Sequence, residues 1–188
     1  MSTPTPGQTV GPFYGYALPY TGDCELVPPN SPGAVRLHGT VRDGNGNPVR
    51  DALIEIWQPA PDGSVVRQGG SLHRDGFTFT GWGRASTDNT GHFTFSTLGP
   101  GGEQPFFAVT VFARGLMDRL FTRAYLPGPD LDENAFLASL PEERRRTLIA
   151  TAEPDGWRFD IRLQGEDETV FLHFPGHRPG NVATGAAD

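Results

Sequence analysis

Transition metals are held by histidine, cysteine, tyrosinate or carboxylate, often at recognisable spacings. The chain has five histidines: His38, His73, His92, His173 and His177. None forms a His-x-His or His-x-x-x-His pair, so the spacing calls for no metal site, although strands can bring distant histidines together. Cys24 is the only cysteine, which excludes an intrachain disulfide and a cysteine-based metal cluster. The tyrosines are Tyr14, Tyr16, Tyr20 and Tyr125. All 15 basic residues are arginine, and there is no lysine. Schiff-base catalysis on a lysine of this chain is therefore excluded. Any cationic site must be a planar guanidinium, which is suited to forked recognition of carboxylates. An Arg-rich composition explains that bias more simply than selection does.

The elements that would position these residues read mostly as strands. Val35, Leu37, Gly39 and Val41 alternate with Arg36, His38 and Thr40, a half-buried strand. Residues 43–48 are dense turn chemistry, and Ala52–Trp57 is a second strand with few polar residues. His92–Ser96 alternates Phe93 and Phe95 inward. Phe106–Ala113 reads as a nearly all-apolar central strand, and Leu120–Leu126 as another. Near the C-terminus, Trp157, Phe159, Ile161 and Leu163 alternate with polar residues. A turn follows, then Thr169–Phe174, which predicts a hairpin. Ser139 and Glu142 have capping-box spacing and predict a short helix from Pro141 to about Ala150. A further turn of helix is expected over Asp132–Ala138.

These readings predict a mainly β protein: an antiparallel β-sandwich with one short helical excursion near residues 132–150. The length of 188 residues suits a single domain. Residues 1–34 read as an extended N-terminal arm. Its aromatics Phe13, Tyr14, Tyr16 and Tyr20 argue that it packs on something, in its own chain or a partner. Residues 176–188 read as a flexible tail. The 25 glycines and 18 prolines leave little room for long helices. A net charge of -7 disfavours nucleic acid and anionic membrane surfaces as partners. The N-terminus shows no secretory pattern and no apolar run is long enough to cross a bilayer, so a cytoplasmic protein is expected.

Several motifs occur together and in order. Thr5–Phe13 (TPGQTVGPF) opens the chain. Gly39–Asp43, Gly46–Val49 and Ala52–Trp57 form a strand-turn-strand run. Gly81–Arg84, Thr87-Asp88 and Gly91–Phe93 follow, then Val111–Gly115 (VFARG). Arg145–Ala150, Arg158–Glu166 and Glu168–Phe171 close the series. Together they resemble the intradiol ring-cleaving dioxygenases of the protocatechuate type, from about Thr5 to Phe174. Within that resemblance, residues 81–93 correspond to the family's middle hairpin. The strand-turn-strand run alone also occurs in non-enzymatic transthyretin-like binding modules.

The resemblance implies a ferric ion held by two tyrosinates and two histidines, because hard anionic oxygens stabilise Fe(III). The first tyrosine would follow the Trp57-Gln58 to Gly63 run by two positions, where Val65 stands. The second would follow the Gly99-Pro100-Gly101 turn, where there is none. The histidine positions hold Ala108 and Thr110. The implied role is the alpha-type subunit of a hetero-oligomer. An iron-bearing beta subunit would hold the Fe(III), and the pair would cleave the small aromatic 3,4-dihydroxybenzoate with O2 to 3-carboxy-cis,cis-muconate. This chain alone would be inactive. By motif, its substrate-binding positions would be Thr9, Gly11 and Pro12 of the arm, and Arg114 in VFARG; without the motif, Arg114 reads as a strand-end residue in a structural salt bridge. Phe13 departs from the tyrosine many relatives carry. A stand-alone binding module leaves the arm and C-terminal matches unexplained. An active homo-oligomer with a rebuilt histidine site lacks tyrosine ligands.

Overall fold

The computed structural model describes residues 9–68 and 74–174. Nine strands form two sheets: β1 (Ala34–Arg42), β2 (Leu53–Trp57), β3 (Trp82–Ser86), β4 (His92–Leu98), β5 (Phe106–Phe112), β6 (Leu120–Tyr125), β7 (Thr151–Glu153), β8 (Gly156–Arg158) and β9 (Ile161–Arg162). One sheet runs β4-β1-β8-β7, with β9 also on β1; the other runs β3-β2-β5-β6. The period-two pattern sets the inner faces. Leu37, Val41, Phe93 and Phe95 from the first sheet meet Ile54, Ile56, Phe107, Val109 and Val111 from the second in one apolar core. Burying one large side chain of this kind stabilises by about 1.5–3 kcal/mol.

Four of the eight steps from one strand to the next change sheet. The segment from β1 to β2 turns at Asp43, whose carboxylate accepts hydrogen bonds from the Asn45 and Asn47 N–H groups at 2.9 and 2.8 Å. It then crosses to the other sheet. The motif over residues 81–93 crosses too. It is not a hairpin, because β3 pairs with β2 while β4 pairs with β1. Alternation alone cannot distinguish a return within one sheet from an arch between two.

The C-terminal region also differs from the expected hairpin. β8 and β9 run parallel to β1, on the edge that β4 leaves free. The first sheet is therefore mixed rather than purely antiparallel. Between the two pieces, Phe159 N–H bonds the His38 carbonyl at 2.7 Å, and the Asp160 carboxylate accepts from Thr40 N–H at 2.9 Å. This close parallel approach needs Gly39, since a Cβ there would lie 1.8 Å from the Phe159 carbonyl oxygen. Residues 169–174 form no strand. They run past β6, with Leu172 N–H on the Phe121 carbonyl and the Thr122 hydroxyl on the Val170 carbonyl.

The helical excursion is four short pieces: a 3-10 turn at Pro129–Glu133, α2 (Ala135–Ala138), α3 (Glu142–Arg145) and a 3-10 turn at Arg146–Leu148. Near the N-terminus, α1 spans Tyr14–Ala17. The expected capping box is absent. The Ser139 hydroxyl bonds back to the Phe136 carbonyl, and Pro141, with no side chain to cap, precedes α3. Asn134 caps α2 instead, accepting from Leu137 N–H at 3.0 Å. Leu137 and Leu148 are fully buried against Tyr125, with Phe106 and Val170, in a second apolar cluster. Among the described residues, no helix is long and apolar enough to cross a membrane.

Arm residues from 18 onward strap the open edge between β3 and β4. The Arg74 guanidinium bonds the carbonyls of Gly22, Asp23 and Trp82 and the Thr80 hydroxyl. Arg84 bonds the Leu18 carbonyl at 2.7 Å, and Leu26 N–H bonds Ser96 at 2.8 Å. The strap covers strand edges that would otherwise be open to another chain. The tail from 176 onward lies outside the described residues, as does the arm before Thr9.

Candidate functional site

β5 leads to the predicted cation. Phe107, Val109 and Val111 point into the core, so Phe106, Ala108, Thr110 and Phe112 line the outer face of the second sheet. Continuing that alternation by two residues puts Arg114 on the outer side, just past the strand. Its side chain is 65% exposed, and its Nε lies 2.8 Å from Asp51 Oδ2. The β2–β5 ladder explains the contact. Its last pair is Leu53 with Phe112, so two further residues bring Asp51 opposite Arg114. The guanidinium is thus ion-paired on its Nε side. Among the described residues, its two terminal nitrogens make no hydrogen bond.

The arm reaches the same end of the sheet. Tyr14 is buried, and its hydroxyl donates to the backbone carbonyl of Asp51. Burial, with the nearby Asp51 carboxylate adding to it, pushes the phenol pKa up to about 12. Tyr14 therefore stays a neutral donor. A small cavity of about 140 Å³ has Val10 on one side and Phe112, Ala113, Leu116 and Met117 on the other. Val10 lies between the predicted site residues Thr9 and Gly11, and Ala113 adjoins Arg114. The structure therefore brings the arm and Arg114 to one place. Thr9 is exposed and accepts from Gly11 N–H at 3.2 Å. Gly11 has φ +79, and a Cβ there would meet nothing within 4 Å. Its requirement for glycine is conformational, and open space lies beside it. Pro12 is exposed. The arm's aromatics divide: Tyr14 packs on its own chain, whereas Phe13 is 73% and Tyr16 87% exposed.

The positions that the resemblance implies for the iron ligands lie on β5 and on the loops after β2 and β4, a frame of one strand and two loops. Ala108 and Thr110 sit on the outer face of β5, with Ala108 opposite Trp57. The loop after Trp57, which carries Val65, is pinned to the loop after β4. Gly101 N–H bonds the Ala60 carbonyl at 3.1 Å, and a Cβ on Gly101 would lie 2.0 Å from the Pro61 carbonyl oxygen. The frame carries a methyl, a hydroxyl and an isopropyl group where anionic oxygens and imidazoles would be needed. Arg123 stands opposite Ala108 with its guanidinium 4.4 Å above the Phe106 ring. Arg84 of β3 and Glu55 of β2 form a pair at 2.6 Å. These residues do not fit a ferric ion. Among the described residues, no group of three or more His, Cys, Asp or Glu could hold a metal.

The topology does unite two histidines far apart in sequence. His38 Nδ1 lies 3.3 Å from His92 Nε2, and His38 Nε2 lies 2.8 Å from Glu153 Oε2. Arg36 approaches His92 at 3.4 Å. This cluster is on the outer face of the first sheet, away from Arg114. His73 and His177 lie outside the described residues.

Residues 11–127 match the family model described as dioxygenase. The chain belongs to this family, that of the intradiol dioxygenases. It is 36% identical to the protocatechuate 3,4-dioxygenase alpha chain of Burkholderia cepacia, over 89% of this chain and 96% of that one. It is 33% identical to the protocatechuate 3,4-dioxygenase beta chain of the same organism, over 70% of this chain and 64% of that one. Among solved structures it is similar to the dioxygenase domain of a dioxygenase–carbohydrate-binding fusion from Streptomyces sp. SirexAA-E. That match has TM-score 0.57 and 26% identity, and covers 87% of this chain and 99% of that one.

Proposed function

We propose that this chain is the iron-free alpha subunit of a protocatechuate 3,4-dioxygenase. The observation that carries the proposal is the frame around β5. At the positions from which, by resemblance, the family holds iron, this chain carries Val65, Ala108 and Thr110 in place of ligands. The similarity to an alpha chain over nearly its whole length supports the same reading. An iron-bearing beta subunit then holds the Fe(III) and supplies the redox chemistry. The assembly, which we place in the cytoplasm, cleaves 3,4-dihydroxybenzoate between its hydroxyl-bearing carbons. Both atoms of O2 enter the product, 3-carboxy-cis,cis-muconate.

This chain contributes binding. Thr9, Gly11 and Pro12 present a rigid, narrow backbone to the flat ring. Arg114 meets the ring carboxylate, because a guanidinium with free terminal nitrogens can fork two carboxylate oxygens. The test is O2 uptake with 3,4-dihydroxybenzoate by the chain alone, by a matching beta subunit alone, and by the two together. Turnover is expected only from the mixture. Turnover by this chain alone would refute the proposal.

A further inference from the structure

Arg114 alone would be a poor recognition element. It sits at a strand end, is 65% exposed, and has a long side chain with many rotamers. A guanidinium that wanders must be ordered each time a ligand binds, and that cost reduces affinity. The structure supplies a restraint. Asp51 stands opposite Arg114 across the ends of β2 and β5 and holds Nε at 2.8 Å. The contact uses the side of the guanidinium that a forked carboxylate does not need. Asp51 is itself fixed, since Tyr14 donates to its backbone carbonyl from a buried position. The carboxylate is only 34% exposed.

We propose that Asp51 is a positioning residue: it orients Arg114 so that the two terminal nitrogens face the substrate carboxylate, while Tyr14 fastens Asp51 to the arm that lines the same pocket. The inference rests on the reading of Arg114 as the carboxylate-binding cation. It adds a division of labour within this chain. Arg114 touches the substrate, and Asp51 acts only through Arg114. Asp51 also keeps the cation partly neutralised when no substrate is present, which lowers the cost of enclosing it at a subunit boundary.

The test uses the assembled enzyme with Asp51→Asn, Asp51→Ser, Arg114→Ala and the Asp51→Asn/Arg114→Ala double variant. Steady-state kinetics give kcat and KM for 3,4-dihydroxybenzoate. Equilibrium titration of the visible iron absorption gives Kd for 3,4-dihydroxybenzoate and for catechol, which has the same ring without the carboxylate. Either Asp51 substitution is expected to raise KM and Kd for the carboxylated ligand roughly tenfold, equivalent to about 1.4 kcal/mol. The catechol Kd stays unchanged, and kcat stays within about twofold, as for loss of an interaction made equally in ground and transition states. In the Arg114→Ala background, Asp51→Asn has no further effect, because the pathway through Arg114 is already gone. Equal weakening of both ligands by Asp51→Asn would mean a general structural role and overturn the inference. So would additive losses in the double variant, or unchanged affinity in both Asp51 variants beside a weakened Arg114→Ala. If Arg114→Ala itself has no effect, the reading of Arg114 fails first, and the Asp51 inference with it.

Discussion

Arg123 of β6 stands directly opposite Ala108 of β5, with its guanidinium 4.4 Å above the Phe106 ring. A cation therefore lies beside a position that the resemblance implies for a metal-binding histidine. A ferric ion there would meet neutral or apolar side chains in place of ligands and a positive charge at close range. Putting back the two imidazoles with Ala108→His and Thr110→His is expected to leave the chain without stoichiometric iron. Two neutral ligands supply none of the anionic oxygen that Fe(III) requires. Metal analysis after iron loading and gel filtration checks this, and one tightly bound iron per chain would contradict it.

Arg114 gives the most direct functional prediction. Truncation by Arg114→Ala in the assembled enzyme should raise KM for 3,4-dihydroxybenzoate by about 10- to 150-fold, the range for losing a charge-assisted hydrogen bond of about 1.5–3 kcal/mol. The melting temperature should hardly change, since exposed ion pairs contribute little to stability. Unchanged KM and kcat would remove Arg114 from the pocket.

Gln58 and Thr97 are fully buried polar residues that tie the sheets together at one end. The Thr97 hydroxyl donates to Gln58 Oε1, and Gln58 Nε2 donates to the Leu98 carbonyl at 2.8 Å. Thr97→Val keeps the shape but strands the glutamine oxygen. Its expected cost is about 1–3 kcal/mol, the penalty for an unsatisfied buried acceptor. Urea unfolding should show a lower midpoint with an unchanged slope. No change in the midpoint would indicate that the glutamine finds another partner.

His92, beside His38 on the outer face of the first sheet, makes stability depend on pH. Burial, with His38 and Arg36 nearby, holds the His92 pKa below its ordinary 6.5. The unfolded chain therefore takes up this proton more readily than the folded one. The stability tied to His92 is fully present above pH 6.5, and is lost as pH falls from 6.5 through the folded pKa. Asp88 opposes the shift without cancelling it. Melting temperatures measured downward from pH 7.5 should drop in the wild type, and the drop should be shallower in His92→Gln. Parallel curves would show that His92 carries no linkage.

The strands were largely legible because period-two alternation reports which side chains face a core, as at Leu37 to Val41 and Phe93 to Phe95, and a nearly all-apolar run such as Phe106–Ala113 marks a central strand. Pairing was not legible. Nothing in the pattern from Trp157 to Phe174 distinguishes a hairpin from two short strands lying parallel to β1, and the choice is made by Gly39 and Asp160 more than a hundred residues apart in sequence. The capping box failed for a similar reason. Pro141 occupies the position before α3, and the better cap, Asn134, belongs to α2. Arg114 and the arm were reached through motifs, but Asp51 was not. Its signal is the register of β2 on β5, which exists only once the strands are paired. The union of His38 and His92 is likewise a product of topology rather than of spacing.

As proposed, this subunit carries the fold of an iron dioxygenase without its iron. The most direct measurement is iron content, together with the visible tyrosinate-to-iron absorption, of the chain purified alone and with its beta subunit. A colourless, iron-free chain alone and a coloured complex with one iron for each alpha–beta pair are expected. Iron bound by this chain in the absence of the beta subunit would contradict the proposal.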